Sequence, residues 1–383
     1  MKHTKTLFLA LLIAISLLTL QCSKIKQILG QESTQESKVV VIFANGDVNI
    51  LRANEKFKPK VGTILDSKDI IMTESGSLDI QNKNGDLIRV KSYSKLSIAS
   101  LEEGESSKTT VDIQWGELVV KTKKLKSNSE FKVLTPTTVA GVRGTIFTVE
   151  LEKDKIPKVK VFEGSVAVGA RFQPINIEKG SIDDQSYEEM ISFLEKNEII
   201  LGEMEESNLS PKLQELVILI NNRQLVNQDI QKTELTKQME DMMDKETFLS
   251  SPQKQAEIDT LVGTESALVD KALESSKNPE SVNDSSISEA IAQDHKKNLG
   301  VAVTNLEANA EKQNLKSEAD IQKFYSVLEI VNTSDGNHYS GAIITQVGGT
   351  IILHSTEGIK KLNLDEVESV DYKSLQLNTK AKK

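Results

Sequence analysis

The chain has 383 residues, a formal net charge of −9, 38% hydrophobic residues and only 4% aromatic ones. That length accommodates two or three ordinary domains, and so few aromatics argue against one large, dense core. One cysteine and four histidines exclude a disulfide scaffold and a zinc site built from several cysteines, and the acidic balance argues against general nucleic-acid binding.

Residues 1–22 read MKHTKTLFLALLIAISLLTLQC. Lys2 and Lys5 precede an almost unbroken apolar run from Leu7 to Leu18, the pattern of an export signal. The run is short for a spanning helix and no basic stop-transfer cluster follows it. The only cysteine, Cys22, comes directly after. This arrangement resembles the signal and lipobox of bacterial lipoproteins, in which the cysteine becomes the acylated N-terminus. Leu20 and Gln21 stand where small residues are usual, a relaxation shared with spirochaetal lipoproteins. The resemblance implies a signal peptide over 1–21, lipidation (palmitate class) at Cys22 and a lipid anchor in a membrane. It places the protein in the cell envelope, at the outer membrane, with the periplasmic or surface face open. Residues 22–37 read as a polar tether.

Charge divides the remainder of the chain. Residues 38–180 carry an excess of basic over acidic side chains, whereas residues 181–323 hold nearly all of the net negative charge. The apolar pattern changes at the same borders, so three regions are expected.

Residues 38–170 show short β-branched runs broken by glycine turns, and no helical periodicity. Val39–Phe43, Asn45-Gly46 and Val48–Leu51 read as one hairpin. Leu78–Ile80, Asn84-Gly85 and Leu87–Val90 read as another. Val111–Gln114, Gly116–Thr122, Thr145–Leu151, Val159–Phe162 and Ser165–Val168 continue the series. Leu101–Thr110 reads as a polar loop. The expected fold is all-β and mostly antiparallel, either a sandwich or a solenoid-like wrap.

The sharpest motif is TPTTVAGVRGTIF, Thr135 to Phe147. Pro136 cannot donate to a ladder and marks a strand edge or entry. Gly141 and Gly144 permit positive φ or close backbone approach, and Arg143 sits in the tight turn between them. A guanidinium there satisfies carbonyls or pairs with a carboxylate; the sharper alternative is contact with a ligand anion or a partner. The spacing is not a phosphate-binding fingerprint, because a strand follows it. With Gly76, Trp115-Gly116-Glu117-Leu118 and Val161-Phe162-Glu163-Gly164-Ser165-Val166, the motif resembles the FecR domain. The matching residues are Thr135, Pro136, Gly141, Arg143, Gly144, Thr145, Phe147, Glu163 and Gly164. In signalling members of that family a cytoplasmic anti-sigma segment precedes a spanning helix, and the exported part reads a receptor. Here the export signal begins at Met1, so the resemblance implies a domain that binds an envelope protein partner. Signal, lipid and FecR domain together resemble FecR-domain lipoproteins of spirochaetes, leptospiral ones in particular.

Residues 181–323 are expected to be an acidic helical segment with linkers. Ser210-Pro211 is a helix start, with Ser as N-cap and Pro at the first helical position. Leu213, Leu216, Val217 and Ile220 follow at helical spacing. Ile258 to Leu273 reads as a second helix, Val301 to Ala310 hints at another, and Tyr187 to Ile200 also reads as helical. Met239, Met242 and Met243 read as adaptable core filler. Glu203, Glu205 and Glu206 lack the spacing of a calcium loop.

Residues 324–372 read as five short strands, beginning with Phe324–Val331. They resemble small bacterial SH3-like or Sm-like barrels, and residues 373–383 form a basic tail. His338 and His354 read as surface or strand-facing. No nucleophile elbow, P-loop or Cys–His pairing appears. The chain is therefore expected to be non-enzymatic, with no cofactor, no metal and no nucleic-acid partner. Its expected role is partner binding in envelope sensing or assembly. The competing reading is a structural spacer or cell-wall-binding lipoprotein.

Overall fold

The computed structural model describes residues 35–36, 38–103, 108–123, 129–142, 144–152, 156–172, 189, 191–222, 232–276 and 285–373. Cys22 and Arg143 lie outside them. The first β unit is a flattened barrel with two walls. The first wall runs Glu55–Phe57, Val48–Arg52, Ile70–Thr73, Lys95–Glu103, Lys108–Lys121, Glu130–Leu134, Thr138–Val142, Val166–Ala170, Glu198–Leu201. The second runs Ile64–Leu65, Val39–Asn45, Ser77–Asn82, Leu87–Val90, Lys108–Lys121, Ile146–Leu151, Lys158–Glu163, Glu205–Leu209, Met243–Thr247.

Lys108–Lys121 belongs to both walls. Its first half pairs in one, and from Gly116 it pairs in the other. Gly116 stands at φ +105°, and a Cβ there would lie 2.4 Å from the Ser94 Cα, so the crossing requires glycine. Inside the walls lies one apolar core, built from Val41, Ile50, Leu96, Ile113, Phe131, Phe147 and their neighbours. The sandwich-or-wrap expectation thus resolves into two walls that share a strand.

The two Asn-Gly pairs behave differently. Asn84-Gly85 closes a true hairpin, with Leu78 opposite Val90 and Gln81 opposite Leu87. Asn45-Gly46 does not. Val39–Asn45 and Val48–Arg52 do not pair, because the chain leaves the second wall there and enters the first. The expected loop Leu101–Thr110 is also shortened, since strands extend into it to Glu103 and from Lys108.

The middle segment is not purely helical. Residues 191–194 are helical, but Glu198–Leu201 is a strand, as are Glu205–Leu209 and Met243–Thr247. Among the described residues the helices of eight residues or more are α1 (Pro211–Asn221), α2 (Lys232–Glu240), α3 (Pro252–Asp259), α4 (Ser266–Ser275), α5 (Ser285–Glu311) and α6 (Glu318–Tyr325). Ser210 caps α1 by accepting from the Lys212 N–H, with Pro211 at the first helical position. The apolar run expected as one helix from Ile258 to Leu273 is split between α3 and α4. Met239 and Met243 are buried with Leu213, Val217 and Ile220, as core filler.

Helices α3, α4 and the first half of α5 cover the outside of the second wall. This explains the run Val39–Ile42: Val39 and Val41 face the barrel interior, while Val40 and Ile42 pack against Ile258, Leu261, Val269, Ile287 and Ile291. An unbroken apolar strand is one buried on both faces. Buried Gln81 fastens the layer, donating to the Thr264 carbonyl at 3.0 Å and accepting from the Thr264 N–H at 2.8 Å. The loose helical spacer is therefore a docked third layer. Helix α5 then continues past the wall, where Val303, Leu306 and Ala310 join Ile321, Tyr325, Ala342, Ile344 and Ile352 under the C-terminal sheet.

That sheet corrects two expectations. Residues 318–325 are helical, so the first strand is Glu329–Thr333 rather than Phe324–Val331. The five strands run Gly358–Asn363, Thr350–Ser355, His338–Val347, Glu329–Thr333, Val367–Tyr372. No ladder among the described residues joins the two outer strands, so the sheet is open and the expected barrel is not formed. Val367–Tyr372 is exposed along most of its length and buries little apolar surface with which to close. Among the described residues no helix is long and apolar enough to cross a membrane.

Candidate functional site

The residues Thr135, Pro136, Gly141, Gly144, Thr145, Phe147, Glu163 and Gly164 fall on two neighbouring structures. The first is a tight hairpin. Thr135 Oγ1 accepts from the Thr138 and Thr137 N–H groups at 2.8 and 3.3 Å, and Pro136 lies exposed at the tip. Arg171 braces this turn, donating to the Thr135 carbonyl at 2.8 Å while pairing with Asp112 at 2.8 Å. Sequence reasoning missed Arg171, whose only signal was its place just after the closing strand.

The second structure is a pair of adjacent crossings between the walls. At Gly144 (φ +68°) the chain passes from the first wall to the second, and at Gly164 (φ +85°) it returns. A Cβ on Gly164 would lie 2.7 Å from the Gly144 carbonyl oxygen, so the crossings touch. Thr145 locks them: its N–H donates to Thr122 Oγ1 and its carbonyl accepts from the Thr122 N–H, both at 2.9 Å. Phe147 then enters the core fully buried, and Glu163 stays exposed.

Gly141 differs from these glycines. Its φ is not positive, and a Cβ would meet nothing within 4 Å. It lies on the outside of the first wall, in a row that runs Thr110, Lys132, Gly141, Ala167, Ile200. The next row runs Asp112, Leu134, Val139, Gly169, Glu198. Small residues in the middle of both rows make a shallow groove of about 920 Å³, with Ile200 53% exposed at its rim.

This contrast is testable. Gly164→Ala should cost about 1–3 kcal/mol, from positive φ and the contact with Gly144. Gly141→Ala should change stability by under about 0.5 kcal/mol. Urea midpoints read both, and equal losses would contradict the close-approach account of the motif.

A second cleft, of about 490 Å³, opens where the second wall, α3, α5 and the C-terminal sheet meet. Its floor is an ionic network. Arg89 donates to both carboxylate oxygens of Asp79, at 2.9 and 2.8 Å, and to the Glu257 and Thr260 carbonyls, both at 3.1 Å. Lys91 and Lys254 both pair with Glu257, and Lys254 also pairs with Glu117. Burial opposes the charge on Glu257, but the two lysines outweigh it and hold its carboxyl below the usual range. His295 stacks on Phe43, with ring centroids 5.5 Å apart, and its Nε2 has no hydrogen-bond partner.

The other singled-out groups are satisfied locally. Glu205 pairs with Lys245 at 2.7 Å, and Glu206 with Lys158 and Lys160 at 2.7 and 3.1 Å, so lysines neutralise these two members of that acidic run. His338 bonds Asn332, and His354 bonds the Tyr325 hydroxyl at 2.8 Å. Among the described residues, no group of three or more His, Cys, Asp or Glu is placed to hold a metal ion.

Burial pushes the pKa of His295 and of His354 down from the ordinary value. The unfolded chain therefore takes up protons first. Stability should be full above the unfolded value of about 6.5 and decline as pH falls below it towards the folded values. Denaturation midpoints at about pH 7.5 and about pH 5.5 measure this. The double variant His295→Gln, His354→Gln should flatten the difference; an unaltered difference would assign it to other groups.

Residues 69–167 match the family model described as FecR protein. Two crystal structures, at 1.65 and 2.50 Å resolution, of a protein from Parabacteroides distasonis provisionally assigned as an anti-sigma factor are also similar. Each shares 14% identity over 36% of this chain and 51% of that one, with a TM-score of 0.26. The chain thus spans about half the length of these structures. No curated protein matches the sequence.

Proposed function

We propose, from the match of residues 69–167 to the FecR family, that this is a non-enzymatic envelope lipoprotein whose FecR-like unit binds a protein partner. The domain limits are those the sequence sets: a signal over 1–21, a tether over 22–37 and a FecR-like unit from 38. Cys22 carries the lipid and holds the protein at the outer membrane. The partner meets the outside of the first wall. The observation that supports this choice is the asymmetry of the walls: the chain's own helices cover the second, while the first presents Gly141, Ala167 and Gly169 as a smooth strip beside Val139 and Ile200. In this reading Gly141 serves the surface, and Gly144, Thr145, Phe147 and Gly164 serve the frame.

Two measurements test it. Labelling with a lipid precursor should mark the wild type and not Cys22→Ala; equal labelling would remove the anchor. A photo-crosslinker placed in cells at Val139 or Ile200 should give one discrete adduct, absent from a probe at exposed Gln255 on α3. Adducts of equal yield from both faces would remove the first wall as the binding surface.

A further inference from the structure

Helix α5 runs from the second wall to the C-terminal sheet, and His295 lies between its two seats. Ile287 and Ile291 before it pack on the wall; Val303 and Leu306 after it pack under the sheet. The His295 side chain is 4% exposed and stacks on Phe43 of the wall. A neutral ring serves there as packing surface. A protonated ring carries a proton on both nitrogens and needs an acceptor for each. Nε2 is buried and has no hydrogen-bond partner.

The charges around the ring are already engaged. From the wall, Asp79 and Arg89 face it, and Arg89 holds both carboxylate oxygens of Asp79. On α5 itself, Asp294 Oδ2 accepts from Thr264 Oγ1 at 3.0 Å, from the Glu265 N–H at 2.9 Å and from Asn298 Nδ2 at 3.2 Å. On α3, Glu257 is held by Lys91 and Lys254. Helix α4 packs with α5 through Val269, Ala272 and Leu273. The part of the C-terminal sheet that lines the cleft, Ile344 to Gly348, has no titratable side chain. Asp79 and Asp294 favour a charged ring, Arg89 opposes it, and burial opposes it most strongly. The fastenings of α3 and its following loop do not titrate near neutral pH. They are the Gln81 bonds to Thr264 and the Arg89 bonds to backbone carbonyls.

We infer that the first half of α5 is a proton-sensitive strap, docked on the second wall while His295 is neutral and released when His295 is protonated, with the barrel and α3 left in place. Release bares Val40 and Ile42 on the wall and Ile287 and Ile291 on the helix. The sign follows from linkage. A released ring titrates near its ordinary value of about 6.5, and the docked ring titrates lower. Docking is therefore complete above about pH 6.5 and weakens below it, by up to about tenfold per pH unit until the docked value is reached. This device is independent of the partner surface on the first wall.

Hydrogen exchange of the full mature chain tests it, read by mass spectrometry at about pH 7.5 and about pH 5.0 and corrected for intrinsic rates. At both pH values the amides of residues 289–299 should open at least about tenfold more often than those of Lys108–Lys121, as a local opening does. Their opening should rise at least about fivefold on acidification. His295→Phe keeps a stacking ring that cannot charge, and it should abolish the rise. His354→Gln should leave the rise unchanged. Equal opening in helix and barrel would mean that α5 leaves the wall only when the whole chain unfolds, and would overturn the strap. Helix opening that ignores pH would overturn it too, as would a rise that persists in His295→Phe. Should His295→Phe open freely at both pH values, His295→Gln decides by the same criterion: a rise that vanishes supports the strap, and one that remains overturns it.

Discussion

Arg89→Ala should cost about 3–5 kcal/mol of folding stability. Asp79 is completely buried on the second wall, and Arg89 is its bidentate partner. Deleting the guanidinium leaves a charged carboxylate with no counter-ion and no water. It also frees the Glu257 and Thr260 carbonyls at the C-terminal end of α3, to which Arg89 donates. The loss should therefore extend beyond the strand pair to the docking of the helical layer. The double variant Asp79→Leu, Arg89→Met should recover much of the loss, because replacing a buried ion pair with apolar groups of similar volume is often close to neutral. Denaturant midpoints of the two single variants and the double variant decide the matter. A cost below about 1 kcal/mol for Arg89→Ala would mean that the pair is hydrated and holds nothing.

Phe147→Ala should cost about 3–5 kcal/mol as well, for a different reason. Phe147 closes the motif, fully buried, and pairs with Val120 and Val161 in the middle of the second wall. Both walls are fixed by ladders, so the site cannot collapse around the missing ring, and the cost should fall at the upper end of the range. Phe147→Leu should cost less than half as much. The ratio of the two losses, read from the same denaturation curves, separates a rigid core from one that relaxes; similar losses would point to a specific need for the aromatic ring.

Much of this frame was legible because it rests on local chemistry. The β-branched runs gave the strands of residues 38–170, and Ser210-Pro211 gave the start of α1. The motif glycines marked the wall crossings because φ > 0 leaves few alternatives. Asn45-Gly46 misled because a wall crossing and a hairpin need the same backbone, and only the long-range pairing tells them apart. Glu205–Leu209 and Met243–Thr247 were hidden because their sequences, EESNL and MDKET, are polar strands whose charges pair across the ladder. Helix α5 was half visible because its apolar residues serve two different partners and form no single stripe. The ionic floor of the cleft was not legible at all. Its members sit at 79, 89, 91, 117, 254 and 257, and the pairs that cross from wall to helix join residues more than a hundred positions apart.

The shared helix has a mechanical consequence. Helix α5 has 27 residues and is therefore about 40 Å long, with one end seated on the second wall and the other under the C-terminal sheet. A pull on that sheet does not stretch a flexible leash; it loads a rod whose far end is clamped to the barrel. Tension on the C-terminal sheet should then strip α5 from both seats in a single cooperative rupture, rather than extend the molecule step by step.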